Sequence, residues 1–298
     1  MPNADQSAEN QERLGLIYVA LAGAFWGSSG VLAKAAISLG LSPISVIAYR
    51  LSLASIILLI MHTLLKPRSF RISPKTLPIV ALYGLCGVGV PMMLYFYTVS
   101  LISVSAAVTL LYTAPIFTLL TARIIRKEKI TRLKLVAAAI ILVGCVFATK
   151  SYDLGALRIN FIGLMTGLGS GIVLAFGTTL GKNALDKCDQ YTVNLYSTMF
   201  SAALVLTLDF AYSSIPIKMD PWFWFIVFML ALLPTTVAQT LYLAGLKHVE
   251  AGMAGIASSV EIASAILLTN LFFWEGLQLL QVIGICIVIG GVLIIQKS

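Results

Sequence analysis

Charge is what this sequence has least of. Only 11% of its 298 residues are Asp, Glu, Lys or Arg, less than half the share that a water-facing globular surface carries. Histidine is nearly missing too, and His62 and His248 stand far apart, which gives a zinc site no footing. The four cysteines, Cys86, Cys145, Cys188 and Cys286, form no CxxC pair, so neither a disulfide framework nor a metal site is expected. There is no GxxxxGK[ST] phosphate loop, no HExxH pair and no paired-aspartate motif. ATP-driven work and membrane-enzyme chemistry therefore have little support, and no cofactor is expected.

What fills the chain instead is apolar. Hydrophobic residues make up 59% and mean hydropathy is +0.97, more than one soluble core of this length can bury. The apolar stretches are continuous rather than alternating, which selects membrane-spanning helices over a barrel. With roughly 20 residues needed per crossing, ten spans are expected: 14–36, 43–65, 76–99, 103–125, 131–149, 159–181, 191–212, 221–246, 250–272 and 277–296. The fold class is all-α and polytopic. The polar start MPNADQSAENQER is not basic, and the run from Leu14 exceeds a signal-peptide core, so it reads as an uncleaved first helix.

Lys and Arg placement sets the orientation. With the N-terminus inside, the inner connections hold Arg13, Lys66, Arg68, Arg71, Lys75, Arg123, Arg126, Lys127, Lys129, Arg132, Lys134, Lys182, Lys187, Lys247 and Lys297. The outer ones hold only Lys150, Arg158 and Lys218. Both termini are then cytoplasmic. The net charge of +8 reflects sidedness, not a nucleic acid partner.

A shift of 147 residues lays Tyr95 on Tyr242, Glu128 on Glu275 and Gly144 on Gly291, and Trp26-Gly27-Ser28-Ser29 falls on Phe176-Gly177-Thr178-Thr179 with a small gap. The chain divides into residues 1–150 and 151–298, each with five helices. An odd number turns the second unit upside down. The basic loop RIIRKEKITRLK around Glu128 and the cation-free LFFWEGLQLLQ around Glu275 agree with that. Two inverted units around a central cavity are a transporter plan, with a fixed midplane site about which the halves rock. Duplication kept only for folding is the plainer alternative.

These features carry a resemblance. Two five-helix units, each with a Glu in the turn after its fourth helix and a Gly-rich fifth helix, resemble the EamA-type drug/metabolite transporter superfamily. The segment SVEIASAILLTNLFFWEGLQLLQVIGICIVIGGVLII is similar to its second-half pattern. The usual Gly before the turn Glu is replaced by Lys127 and Trp274, and the Pro that often follows the acidic residue is Ile262, with Pro115 at the matching place in the first unit. The resemblance implies ten helices around a cavity and gradient-driven export or exchange of small metabolites, amino acids among them.

Charge inside a span costs at least about 2.5 kcal/mol on insertion scales, so the residues there need a reason. Glu261 shares a helical face with Ala254, Ser258 and Ala265. It is read as a contact for a substrate ammonium or as a proton carrier, against a purely structural carboxylate. Arg50 is read as a pin between helices or a contact for a substrate carboxylate. Lys34 and Lys182 end stripes of small residues (Gly23, Gly27, Gly30; Gly163, Gly167, Gly171, Thr178). They are either electrostatic entrances or lysines snorkelling to the interface. Trp26, Tyr83, Tyr95, Tyr112, Gln239 and Tyr242 are candidates to line the cavity, with core packing as the alternative. Trp222, Trp224 and Trp274 suit the interfacial belt. Pro91, Pro115 and Pro234 interrupt helices and are candidate hinges.

The expectation is a secondary transporter of the bacterial or archaeal cytoplasmic membrane, moving a small polar or amphipathic metabolite such as an amino acid by alternating access. Its partners are that solute, the lipid bilayer and a proton gradient, with the chain acting as monomer or homodimer. A carrier of nucleotide-sugar, phosphorylated metabolite or cationic drug is the nearer rival. A membrane-embedded enzyme or assembly subunit is the more distant one.

Overall fold

Short polar side chains and prolines fix where the helices begin. Ser103, Thr131, Asn160 and Asp220 each accept a hydrogen bond from a backbone N–H in the turn that follows, satisfying donors with no partner inside the helix. Pro43 opens one more helix, and Pro221 is the first residue of the helix that Asp220 caps, where a missing N–H costs nothing. The computed structural model describes residues 4–65, 72–153, 160–212, 220–274 and 276–295. Lys66, Arg68, Arg71, Arg158, Lys218, Glu275 and Lys297 lie outside them.

The described residues are helical almost throughout and contain no strand. In chain order they form α1 (Ala4–Trp26), α2 (Ser28–Ser38), α3 (Pro43–Leu65) and α4 (Leu77–Gly84). A π-helical turn, Leu85–Gly89, joins α4 to α5 (Val90–Leu101), followed by α6 (Val104–Leu111), α7 (Ala114–Arg126) and α8 (Arg132–Ala148). Then come α9 (Phe161–Leu185), α10 (Gln190–Tyr212) and α11 (Pro221–Ala231), with a second π-helical turn, Leu232–Val237, leading into α12 (Ala238–Leu246). The last are α13 (Ala251–Ala257), α14 (Val260–Phe273) and α15 (Leu279–Ile295).

Taken with their continuations, these make eight rods of 22 to 30 residues that are long and apolar enough to cross a membrane. Ten were expected. The other two, α8 and α15, have 17 residues each, the bottom of the range for a membrane span. They pack against one another along their length.

The 147-residue interval recurs in the element boundaries. Both ends of α3 and α10, and both ends of α8 and α15, differ by that number. So do the first residues of the two π-helical turns, and so do Lys127 and Trp274, which end α7 and α14 with positive φ of 60° and 54°. That left-handed position is the usual seat of a helix-ending glycine.

Helices from the two halves pack in pairs: α1 on α12, α3 on α10, α5 on α9 and α8 on α15. Glycine is required at two of the crossings. A Cβ on Gly177 would lie 2.3 Å from the Gly87 Cα, and one on Gly27 would lie 2.1 Å from the Ser264 Oγ. Polarity runs inward, with Asn194, Ser197, Thr198 and Ser201 of α10 fully buried. Large apolar side chains such as Ile56, Ile60, Phe210 and Trp222 face outward, as expected where the surrounding solvent is lipid.

Candidate functional site

Two helices break in the middle of the bundle, and the candidate site sits on the breaks. Between α13 and α14 the chain makes a tight turn at Ser258–Ser259, with Glu261 N–H bonded to the Ser258 carbonyl at 3.1 Å. Glu261 therefore lies in the first turn of α14, not mid-helix as the apolar run suggested. That end carries a partial positive charge, which favours a carboxylate. The equivalent break between α6 and α7 falls at Tyr112–Thr113, with Pro115 in the first turn of α7. Tyr112, Tyr95 and Arg50 lie within electrostatic reach of the Glu261 carboxyl. Glu261, Tyr95, Tyr112 and Trp26 are each half-buried.

Arg50 is held from three directions. Its Nε donates to the Thr235 Oγ1 at 2.5 Å, one terminal nitrogen to the Ser29 Oγ at 2.6 Å and the other to the Pro234 carbonyl at 3.4 Å. Pro234 lies in the π-helical turn, where the helical ladder is offset. The guanidinium has five N–H donors, so these three bonds leave two to spare.

A second polar layer lies beside this one and is closed. Gln239 donates to the Tyr83 hydroxyl, and the Tyr242 hydroxyl donates to the Thr178 Oγ1 at 3.2 Å. The Tyr242 ring packs 5.0 Å from that of Trp26. Tyr83, Gln239 and Tyr242 are buried, each hydrogen-bonded within the bundle. The Ser258 hydroxyl donates to the Gly255 carbonyl at 3.0 Å.

The lysines part company. Lys182 caps the end of α12, donating to the carbonyls of Leu246 and Lys247 at 2.7 and 2.9 Å. Lys34 is exposed, its ammonium 4.0 Å from the Phe273 ring centre. The stripe that leads to it splits as well: Gly23 and Gly27 press on the α13–α14 break, while Gly30 faces open space. Pro91 opens α5 directly after the first π-helical turn, and Pro234 lies within the second.

Sequence reasoning missed Asp209. It is buried in α10, accepts a hydrogen bond from Ser45 at 2.8 Å, and leaves its other oxygen without a hydrogen-bond partner. A lone acid near the end of an apolar run was the available signal. Ser29 and Thr235 were missed too, since neutral hydroxyls in apolar helices carry no mark until a guanidinium is found between them. No cluster of three metal-ligating side chains exists among the described residues.

At the end of the bundle where α7 meets α13 lies an open concavity of about 620 Å³, lined by Arg126, Lys127, Glu128, Lys182, His248 and Glu250. Partial burial, with Lys247 and Lys182 nearby, pushes the His248 imidazole below its ordinary range.

Comparison with known proteins agrees with this architecture. The model of the EamA-like transporter family matches residues 13–150 and 161–296. An uncharacterized transporter of Clostridium kluyveri is 25% identical over 95% of this chain and 93% of its own. One of Archaeoglobus fulgidus is 27% identical over 68% of this chain and 71% of its own. The uncharacterized transporter YetK of Bacillus subtilis is 25% identical over 82% and 76%. A solved crystal structure aligns with a TM-score of 0.81 over 94% of this chain and 95% of that one, at 15% identity, a likeness of fold.

Proposed function

The chain belongs to the EamA-like transporter family, and from that premise we propose that it exports or exchanges a small zwitterionic metabolite, an amino acid or close relative, by alternating access. The observation that carries the reading is the juxtaposition of half-buried Glu261 with buried Arg50, whose guanidinium keeps two N–H donors unspent. A carboxylate suits an ammonium group, and a guanidinium presents a planar fork to a carboxylate. Tyr95 and Trp26 offer ring faces for an apolar side chain. Glu261 also serves as the proton carrier that couples transport to a gradient.

In this reading α8 and α15 are the fifth and tenth spans and the two halves are inverted repeats. The 147-residue recurrence of the element boundaries supports that arrangement. The distribution of Lys and Arg supports cytoplasmic termini in a bacterial or archaeal inner membrane. Pro91, Pro115 and Pro234, each at a helix break or π-helical turn, serve as hinges.

The test is counterflow in liposomes containing the purified protein and a panel of labelled amino acids. Uptake of at least one, lost in Glu261→Ala and Arg50→Ala, is the expected result. No amino acid exchanged, with uptake of a nucleotide-sugar, phosphorylated metabolite or cationic drug instead, would sink the substrate assignment and leave transport standing.

A further inference from the structure

The two broken helices are equivalent in sequence position but not in contact. In one direction α7 packs tightly on α13: a Cβ on Gly252 would lie 2.6 Å from Leu119, and one on Gly255 would lie 3.2 Å from Thr118. The matching contact would set α14 on α6. Among the described residues no comparable packing is made there, and α14 packs on α1, α2, α8 and α15 instead. The bundle is thus shut between the broken helices at one end and parted at the other.

At the shut end a carboxylate from the first half caps α13 directly. Glu128, just past α7, accepts the N–H groups of Ala251 and Gly252 on its two oxygens at 3.1 and 3.2 Å. Those are the first two residues of α13, whose preceding residue, Glu250, supplies no side-chain cap. Glu250 is paired with Lys134 instead. Arg126 lies 3.3 Å from Glu128 and donates to Asn183 and Asp186 at 2.5 and 2.7 Å. One half thereby grips both α9 and α13 of the other.

We infer that Glu128 is the latch of a gate. Its carboxylate holds α13 against α7 while the cavity at Glu261 opens toward the α6–α14 end, and it lets go when the cavity opens the other way. The inference rests on the transport reading above, but its first test needs no substrate. A cysteine at Thr118, which is buried in the α7–α13 contact, reports the gate in full-length protein whose native cysteines have been replaced. With Glu128 present it reacts slowly with a small maleimide. Glu128→Gln, which weakens the charge-assisted bonds, is expected to speed the reaction about fivefold or more. Native Cys145, fully buried in α8 and kept in a parallel protein, is expected to stay unreactive, which separates gate opening from general loosening. Unchanged reactivity at Thr118→Cys, or an equal rise at Cys145, would overturn the latch.

A second arm holds if Glu128→Gln folds poorly. In Thr118→Cys with Gly255→Cys, the Cβ separation of 3.2 Å is close to disulfide range. Oxidation is expected to arrest exchange and reduction to restore it. Exchange that continues in the fully oxidised protein would also overturn the gate. If labelling responds to Glu128 but no amino acid is moved, the gate stands and the substrate reading falls.

Discussion

Arg50 and Glu261 feel one another's charge inside the bundle yet form no ion pair. The arginine bonds Ser29, Thr235 and the Pro234 carbonyl, and the glutamate has Tyr112 and Tyr95 within electrostatic reach. Each charge keeps capacity for a third party, and each offsets part of the other's burial. Arg50→Ala should therefore be worse than a lost hydrogen-bond set, because it strands Glu261. A thermal melt in detergent should show a loss of about 1–3 kcal/mol or more, the scale for buried polar groups left without their hydrogen-bond partner. Arg50→Ala with Glu261→Gln should lose less than the two single changes added together, by about 1 kcal/mol or more. Strict additivity would mean that the two charges are independent.

Gly177 and Gly87 meet backbone to backbone where α9 crosses the first π-helical turn. A methyl group there cannot be absorbed by a flexible side chain. Gly177→Ala should destabilise by about 1–3 kcal/mol, the range for overpacking a tight core. Gly30→Ala, whose Cβ would meet nothing within 4 Å, is the matched control and should leave the melting temperature unchanged or slightly raised. A melting temperature in Gly177→Ala as high as in Gly30→Ala would show that the crossing tolerates a methyl group.

What the sequence made legible was whatever has a period or a cost. Apolar runs marked nearly every span, and the charges that lipid penalises marked Arg50 and Glu261. The breaks at Tyr112–Thr113 and Ser258–Ser259 were illegible, because a broken helix inside a membrane keeps its apolar composition and its local hydrogen bonds shift by one residue. Tyr83, Gln239 and Tyr242 were rightly placed in the interior, but composition cannot tell a tyrosine that lines a cavity from one paired to a glutamine. The roles of Lys182 and Glu128 as helix caps depend on carbonyls and N–H groups more than 60 residues away, and for Glu128 in the other half of the chain. No local pattern encodes those.

The Tyr83–Gln239 pair gives a test of the closed layer. Tyr83→Phe removes the acceptor and leaves a buried amide N–H unpaired, a loss of about 1–3 kcal/mol in a detergent melt. Tyr83→Phe with Gln239→Leu removes both partners and should recover part of that loss. If the two tyrosines lined open space instead, water would satisfy the amide, and Tyr83→Phe alone would cost little.

Glu261 is also where proton coupling is most open to refutation. Gln keeps the size of Glu and its capacity to hydrogen-bond, but it can neither take up nor give up a proton. If the carboxyl carries the coupling proton, the parent should accumulate substrate in liposomes when a pH gradient is imposed, and Glu261→Gln should not. The variant should still exchange labelled for unlabelled substrate without a gradient, because exchange needs the cavity to reorient but no net proton movement. Loss of both activities would leave Glu261 as a substrate contact only, with no support for its carrying the coupling proton. Accumulation in Glu261→Gln that follows the gradient as the parent's does would remove it from the coupling role altogether, and Asp209, buried in α10, would be the next to change.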